Sequence, residues 1–252
     1  MLTLDCSTRE NALITLAAAF KCSADEVRAA LLSIDLDLIY EAEPPILIDS
    51  RQYLREHICD LIGEPEDFTY AYWFHGTRTT HDNQFSEGLL SLGRSEKLVM
   101  DMLISHAPTN QVRERLQAWN SHGGVPEEFY QMRTLEKMHW GPYGHLVREV
   151  HLHAQNLHQH DYVKLPELVE DVCRAYAENY QQDLTRHYLD IFRPCIIWFL
   201  SEIQYQEGVL EAALGYAYTS VRGLHPDSGS VYGIDKEGID VPRRDILKIE
   251  FI

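Results

Sequence analysis

Four polar or flexible residues follow an aromatic run in residues 71–80, which read AYWFHGTRTT. They are His75, Gly76, Thr77 and Arg78. An imidazole can hydrogen-bond a hydroxyl, glycine lets a ligand approach the main chain, threonine adds a hydroxyl and arginine can bind phosphate. The segment therefore predicts a strand that ends at a polar ligand site. An ordinary strand end followed by a turn is the alternative.

Two His-X-His pairs suggest a different chemistry, His151 with His153 and His158 with His160. On a strand, each pair would place two imidazoles on one side, a spacing that suits zinc or another metal. Chance pairing is the alternative, because the chain has 13 histidines and no cysteine lies nearby. A metal-dependent hydrolase built on residues 151–160 is therefore a rival hypothesis.

The charge balance narrows the class of partner. The chain has 252 residues with 22 basic and 39 acidic side chains, a formal net charge of -17. Such a balance opposes attraction to phosphate backbones and to anionic membranes, so nucleic acid is disfavoured, although a local basic groove would not be excluded. Five cysteines, widely spaced and never in a CxxC pattern, suggest neither a disulfide framework nor a zinc ribbon. They favour a cytoplasmic location, and no stretch predicts a membrane span.

The first part of the chain predicts helices. Capping-box patterns at residues 7–10 and 23–26 each precede apolar residues at helical spacing. Pro44-Pro45 then predicts a break, and residues 50–62 predict a third helix. We therefore expect a helical region at residues 1–66 and a second domain at residues 67–252.

The second domain alternates short apolar runs with helical patterns, which indicates a mixed α and β domain. The strands are expected at residues 70–74, 145–150, 195–200 and 246–252. The 195–200 run is apolar on both faces, which is typical of a buried central strand. Helices are expected at residues 97–105, 109–121, 166–180 and 209–221.

Three motifs in order resemble the ADP-ribosyltransferase superfamily, in the His-Tyr-Glu branch that includes poly(ADP-ribose) polymerases and diphtheria-like toxins. The first is the strand ending in His75-Gly76-Thr77, followed by Gly88-Leu89 near a helix end. The second is the Gly-Pro-Tyr-Gly turn at residues 141–144, and the third is the acidic stretch at residues 237–242 with a final strand. The resemblance covers roughly residues 68–252. It implies an α+β fold with a mixed or antiparallel sheet in a split core of the ADP-ribosyltransferase type, carrying an N-terminal helical extension.

The resemblance also implies an activity and a set of roles. The activity would be mono-ADP-ribosyl transfer, with NAD as co-substrate, to a macromolecular or small-molecule acceptor. His75 would bond a ribose, the Gly76 main chain would hold the nicotinamide amide, and Tyr143 would stack on the nicotinamide ring. Thr77 and Arg78 would add contacts to the nucleotide, with Arg78 on the pyrophosphate, and a structural arginine is the alternative.

The third motif offers two candidates for the acid. A carboxylate near the ribose would stabilise the oxocarbenium-like state formed when the nicotinamide bond breaks. Glu237 is the candidate for this carboxylate, and Asp240 is the alternative. On a strand, alternation would place these two side chains on opposite faces. The family pattern puts its acid where this chain has Gly238, so either a one-residue shift brings Glu237 into the site or the domain binds nucleotide without turnover. Tyr216 and Tyr218 are reserve candidates for the stacking ring.

The acceptor is expected to be a protein or a small molecule, given the acidic balance of the chain. The helical residues 1–66 would either bind a partner or cover the site.

Overall fold

The computed structural model describes residues 1–41, 48–122 and 124–252. The break expected at Pro44-Pro45 lies outside the described residues. Within the described part of the chain, no helix is both long enough and apolar enough to cross a membrane.

Helices make up much of the chain, and most of the α-helices have side-chain or backbone caps. In chain order the α-helices are α1 (Arg9–Phe20), α2 (Ala24–Ser33), α3 (Leu38–Glu41), α4 (Ser50–Ile62), α5 (Leu92–Ser105), α6 (Asn110–Ser121), α7 (Glu128–Leu135), α8 (Glu167–Tyr180), α9 (Thr185–Ile191) and α10 (Gln206–Val221). Short 3₁₀ helices lie at Lys137–His139, Arg148–Leu152, Ala154–Leu157, Ser228–Ser230 and Arg243–Asp245. The expected helices at residues 50–62, 97–105, 109–121, 166–180 and 209–221 are confirmed, although α5 begins more than a turn earlier than expected, at Leu92.

The strands are β1 (Leu2–Leu4), β2 (Phe68–Thr79), β3 (Tyr143–His145), β4 (Arg193–Glu202), β5 (Gly233–Asp235) and β6 (Ile246–Phe251). They hydrogen-bond in the order β5-β3-β2-β4-β6, with β1 beside β2. The β1–β2 pair is parallel, whereas the β2–β3 and β4–β6 pairs are antiparallel. The chain therefore has an α+β fold with a mixed sheet.

The chain divides into two compact units, and the division differs from the boundary expected near residue 66. Unit 1 comprises Met1–Phe74, Gly144–His160 and Leu200–Ile234. Unit 2 comprises His75–Tyr143, Asp161–Phe199 and Asp235–Ile252. The N-terminal helices thus share a unit with the late helix α10, because α1, α2 and α4 all pack against it.

In unit 1, helix α10 packs against several other helices and is buried on several sides. Ala212, Ala213, Leu214 and Tyr216 of this helix are fully shielded from solvent. Removing such apolar surface from water is worth about 25 cal/mol per Å². The second predicted capping box is confirmed, since Ser23 and Glu26 cap each other at the start of α2.

Unit 2 has a hydrophobic core formed mainly by the helices α5 to α9. α5, α7 and α8 pack together, and α6 packs on α5. The buried core includes Leu103, Leu116, Val172, Tyr176 and Phe192. In β4, Cys195, Ile196, Ile197 and Phe199 are all buried, which confirms the expected interior strand.

Two strand predictions were wrong in their bounds. The expected strand at residues 145–150 is only the three-residue β3, and Arg148–Leu152 forms a 3₁₀ helix instead. The strand expected to end at Phe74 continues as β2 to Thr79. The polar segment from His75 therefore lies inside a strand, where main-chain pairing overrides the local pattern of side chains.

Candidate functional site

His75 lies in β2, and its ring is tied to the segment that carries Tyr143. The His75 Nδ1 is 2.7 Å from the carbonyl oxygen of Tyr143. A carbonyl can only accept a hydrogen bond, so Nδ1 carries the proton and donates it. In the neutral ring, Nε2 is then left as an acceptor.

The ionisation of His75 follows from its surroundings. Burial lowers the pKa of His75, and the bond to the Tyr143 carbonyl opposes this shift without cancelling it. The ring is therefore neutral near pH 7, because its ordinary pKa of about 6.5 is already below that pH. A neutral Nε2 can accept a hydrogen bond from a hydroxyl, such as a ribose hydroxyl.

The three residues after His75 differ in how free they are to bind a ligand. Gly76 is buried and Thr77 is partly buried. Arg78 donates from Nε to the Phe192 carbonyl at 2.9 Å, and from its two Nη atoms to the carbonyls of Val163 and Leu189, each at 2.8 Å. These contacts agree with the structural alternative for Arg78, and its expected contact with a pyrophosphate stays a prediction.

Tyr143 begins β3 and is partly exposed. Its hydroxyl donates to the carbonyl of Met138 at 2.7 Å, and the residue keeps 40% of its surface exposed. Burial of the hydroxyl, followed by the nearby Asp235 carboxylate, raises the pKa of Tyr143 to about 12. The phenol stays protonated at physiological pH, and the exposed part of the ring is open to a flat ligand.

The Gly-Pro-Tyr turn is joined to the late acidic turn, which we define as residues 235–238 and call the acid turn. The Gly238 amide donates to the Gly141 carbonyl at 2.7 Å, and the Lys236 amide donates to the Pro142 carbonyl at 3.1 Å. Two adjacent main-chain bonds fix the spacing of these segments. The second and third sequence motifs are thus direct neighbours.

The acids of this region have different surroundings. The Asp240 carboxylate accepts from the Ser91 amide at 2.7 Å and forms an ion pair with Arg94. Burial would raise the pKa of Asp240, but the bonds from Ser91 and Arg94 outweigh it and lower the pKa. Asp240 is therefore committed to the start of α5.

Glu237 is the exposed acid of the group, and it lies in the acid turn rather than on a strand. Its backbone is left-handed, with a φ of 52°, and its amide donates to the Asp235 carboxylate at 2.7 Å. Among the hydrogen bonds and ion pairs of the described residues, none orients the Glu237 carboxylate. Glu237 is thus the carboxylate that remains available to a ligand.

The Gly88-Leu89 motif meets the same late segment, just before α5. Leu89 and Val241 exchange two main-chain bonds of 2.9 Å. Gly88 has a φ of 97°, and a Cβ there would lie 2.2 Å from the Val241 carbonyl oxygen. Only glycine permits this approach of the two chains.

The reserve tyrosines lie in unit 1 and have other partners. The Tyr216 hydroxyl donates to Glu149 at 3.0 Å. The Tyr218 hydroxyl accepts from the Leu36 amide at 3.4 Å, and Arg222 lies over its ring. These contacts give both rings a packing role.

The histidine pairs do not have the strand geometry expected of them. His151 is in a 3₁₀ helix, and its Nε2 is 2.7 Å from the Phe74 carbonyl oxygen. The rings of His153 and His225 are tilted to each other, with centroids 4.2 Å apart. Across residues 1–41, 48–122 and 124–252, no group of three or more His, Cys, Asp or Glu side chains is placed to hold a metal ion.

Trp140 is not predicted from the sequence to belong to this site. In the structure, its ring lies near Gly93 of α5 and Gly238 of the acid turn. A Cβ on Gly93 would lie 2.6 Å from its ring, and a Cβ on Gly238 would lie 3.6 Å from it. Its neighbour Gly141 was part of a motif, but a lone tryptophan in a loop gives no periodic signal.

Unit 2 therefore brings together a neutral imidazole, a half-exposed phenol ring and an exposed carboxylate-bearing turn. This set can bind hydroxyls and an aromatic ring and can stabilise positive charge. No protein-family model, no curated protein and no solved structure matches this chain.

Proposed function

We propose that the chain is a mono-ADP-ribosyltransferase that cleaves NAD⁺ at the bond between nicotinamide and ribose. One observation carries the proposal. His75, the Gly141-Pro142-Tyr143 turn and the acid turn are linked by three hydrogen bonds within unit 2. These are the three motifs whose order in the sequence resembles the ADP-ribosyltransferase superfamily, although they are about 70 and 95 residues apart.

The contacts of His75 and Tyr143 suit them to bind the nucleotide. The neutral His75 would accept a ribose hydroxyl at Nε2, since Nδ1 is used by the Tyr143 carbonyl. The partly exposed Tyr143 would stack its ring on the nicotinamide. Gly76 has no side chain to block its main chain from the nicotinamide amide.

Glu237 would act on the reacting bond. The bond between the ribose C1′ and the nicotinamide nitrogen breaks, and its electron pair leaves with neutral nicotinamide. Positive charge then develops on the ribose, and the Glu237 carboxylate stabilises it. An acceptor nucleophile forms the new bond to C1′ and releases its proton.

The charge of the chain favours a protein or small-molecule acceptor. A net charge of -17 opposes the approach of nucleic acid, although a local basic groove would weaken that argument.

A module that binds NAD⁺ or ADP-ribose without turnover is the second candidate. It is favoured by the exposure of Glu237, whose carboxylate is not oriented by a hydrogen bond or ion pair from the described residues. A catalytic carboxylate is normally held by its surroundings.

The two candidates are separated by incubating the protein with NAD⁺ labelled in the adenosine and in the nicotinamide. A transferase releases free nicotinamide and attaches the adenosine label to an acceptor, whereas a binding module gives a Kd by calorimetry and no nicotinamide. Glu237→Gln should lower nicotinamide release by roughly 100-fold with little change in the Kd for NAD⁺, because the carboxylate acts mainly in the transition state.

Asp240→Asn is the matched control for that variant. It removes a carboxylate three residues away that is committed to Ser91 and Arg94. The transferase proposal fails if the wild-type protein neither releases nicotinamide nor transfers label. The assignment of Glu237 fails if Asp240→Asn loses turnover while Glu237→Gln retains it.

A further inference from the structure

Trp140 fills the space between the first turn of α5 and the acid turn. A Cβ on Gly93 would lie 2.6 Å from the ring, so the indole lies against the main chain of α5. A Cβ added to Gly238 would lie 3.6 Å from the ring, so the indole borders the space next to this residue. Both neighbours are glycines, so the ring lies close to the main chain of α5 on one side and borders the space beside Gly238 on the other.

The indole is fixed by polar bonds as well as by packing. Its Nε1 donates to the Thr134 carbonyl at 3.2 Å, and its own carbonyl accepts from the Leu92 amide at 2.8 Å. The next residue, Gly141, accepts the Gly238 amide at 2.7 Å. The ring is thus anchored to α5 and α7, and the residue that follows it is hydrogen-bonded to the acid turn.

The acid turn needs such support because its backbone is unfavourable. Glu237 and Gly238 are consecutive left-handed residues, with φ values of 52° and 82°. Glutamate resists this conformation, which persists only where neighbouring groups hold it. At Gly238, the amide donates to the Gly141 carbonyl, and the Trp140 ring borders the space where a Cβ would stand.

We propose that Trp140 is a positioning residue for Glu237, acting through the following residue Gly141, which accepts the Gly238 amide, and through its ring beside Gly238. The inference rests on the proposed function for its catalytic consequence, but the support of the turn can be measured without any activity. The indole would hold the left-handed turn so that the Glu237 carboxylate stays at the reacting bond. Loss of the ring would free the turn and leave the nucleotide contacts of His75 and Tyr143 intact.

The test compares Trp140→Ala with Trp140→Phe, and Trp119→Ala serves as the control. Trp119 is a partly buried tryptophan of the same unit, but its ring packs against Tyr176 and Tyr180. Amide hydrogen exchange should be at least about tenfold faster at Gly238 in Trp140→Ala than in Trp119→Ala, because its bond to Gly141 would open more often. The kcat of nicotinamide release should fall at least about tenfold, with KM for NAD⁺ changed less than about threefold.

Trp140→Phe should restore most of the protection and most of kcat, since a smaller ring still packs between the two glycines. The proposal is overturned if exchange at Gly238 is unchanged in Trp140→Ala, or if exchange rises and kcat stays at the wild-type value. It is equally overturned if Trp119→Ala lowers kcat as much as Trp140→Ala at equal folded fraction. If the wild-type protein releases no nicotinamide, the proposed function fails, and the exchange measurement still decides whether Trp140 holds the turn.

Discussion

The ring of His75 and the main-chain carbonyl of Tyr143 are joined by a 2.7 Å hydrogen bond. This bond connects residues that are far apart in sequence and fixes which ring nitrogen carries the proton. The free Nε2 of a neutral imidazole is an acceptor only, so its partner in a ligand must be a donor such as a hydroxyl. The bond therefore links the structure of β2 and β3 to the kind of group that His75 can recognise.

Replacing His75 with asparagine should separate these two roles. The asparagine amide can donate to the Tyr143 carbonyl from about the position of Nδ1, but it has no group at the position of Nε2. We expect His75→Asn to raise the Kd for NAD⁺ about tenfold while the free energy of unfolding stays within ~0.5 kcal/mol of wild type. His75→Ala should weaken binding similarly and also cost about 1 kcal/mol of stability.

Calorimetric titration with NAD⁺ and urea unfolding provide the two measurements. Equal NAD⁺ affinity in wild type and His75→Asn would rule out a role for Nε2 in binding. A large loss of stability in His75→Asn would instead mean that the Tyr143 bond is not reproduced.

The stability of the protein should depend on pH through His75. Burial lowers the pKa of His75 in the folded protein below the ordinary value of about 6.5. As pH falls, the unfolded chain therefore takes up the proton first. The stability that comes from the neutral ring is full above pH ~6.5 and is lost as pH falls through the folded pKa.

Urea unfolding of wild type and His75→Asn between pH 5 and 7.5 isolates this contribution. The pKa of His153 is also lowered, by burial and by His225, but it titrates in both proteins and cancels in the difference. We expect wild type to lose more free energy of unfolding than the variant as pH falls. A difference that stays constant with pH would contradict the lowered pKa.

Much of the fold follows from local pattern. Helix α8 was expected from the proline at its start and from its apolar stripe, and Pro166 is its N-cap residue. The interior strand β4 was expected because residues 195–200 are apolar on both faces. Each of these signals lies within a few residues, so a single sequence is enough to show it.

Features set by distant parts of the chain could not be predicted in this way. The polar stretch from His75 to Thr79 pairs as a strand because neighbouring strands supply its hydrogen bonds. The sequence predicts a separate helical region at residues 1–66, whereas in the structure its helices pack against α10. The three hydrogen bonds from Arg78 to main-chain carbonyls likewise depend on segments about 85 to 114 residues away.

Removing the Arg78 guanidinium should destabilise unit 2. Arg78→Met would leave the carbonyls of Phe192, Val163 and Leu189 without their donor. An unsatisfied buried acceptor costs about 1–3 kcal/mol, so we expect a loss of at least about 2 kcal/mol in the free energy of unfolding. Arg78→Lys should recover only part of it, because an ammonium cannot reproduce the fork of donors.

Arg186→Met is the control for this arginine, since Arg186 is largely exposed and forms an ion pair with Asp190 along α9. Its loss should be within about 0.5 kcal/mol in the same urea titration. A loss in Arg78→Met no greater than that of the control would mean that the three carbonyls are satisfied in another way.

The close approach at Gly88 predicts a larger effect than left-handed geometry alone. Gly88→Ala and Gly124→Ala both place a Cβ at a positive φ, 97° and 80°, which costs about 1 kcal/mol. At Gly124 the new Cβ meets no atom of the described residues within 4 Å, whereas at Gly88 it would lie 2.2 Å from the Val241 carbonyl oxygen. The Leu89–Val241 pairing must then open, and Asp240 and the acid turn shift with it.

In urea unfolding, we expect Gly88→Ala to lose at least about 2 kcal/mol more free energy of unfolding than Gly124→Ala. Gly88→Ala should also lose nicotinamide release. Equal losses would show that the chain next to Val241 can move without cost.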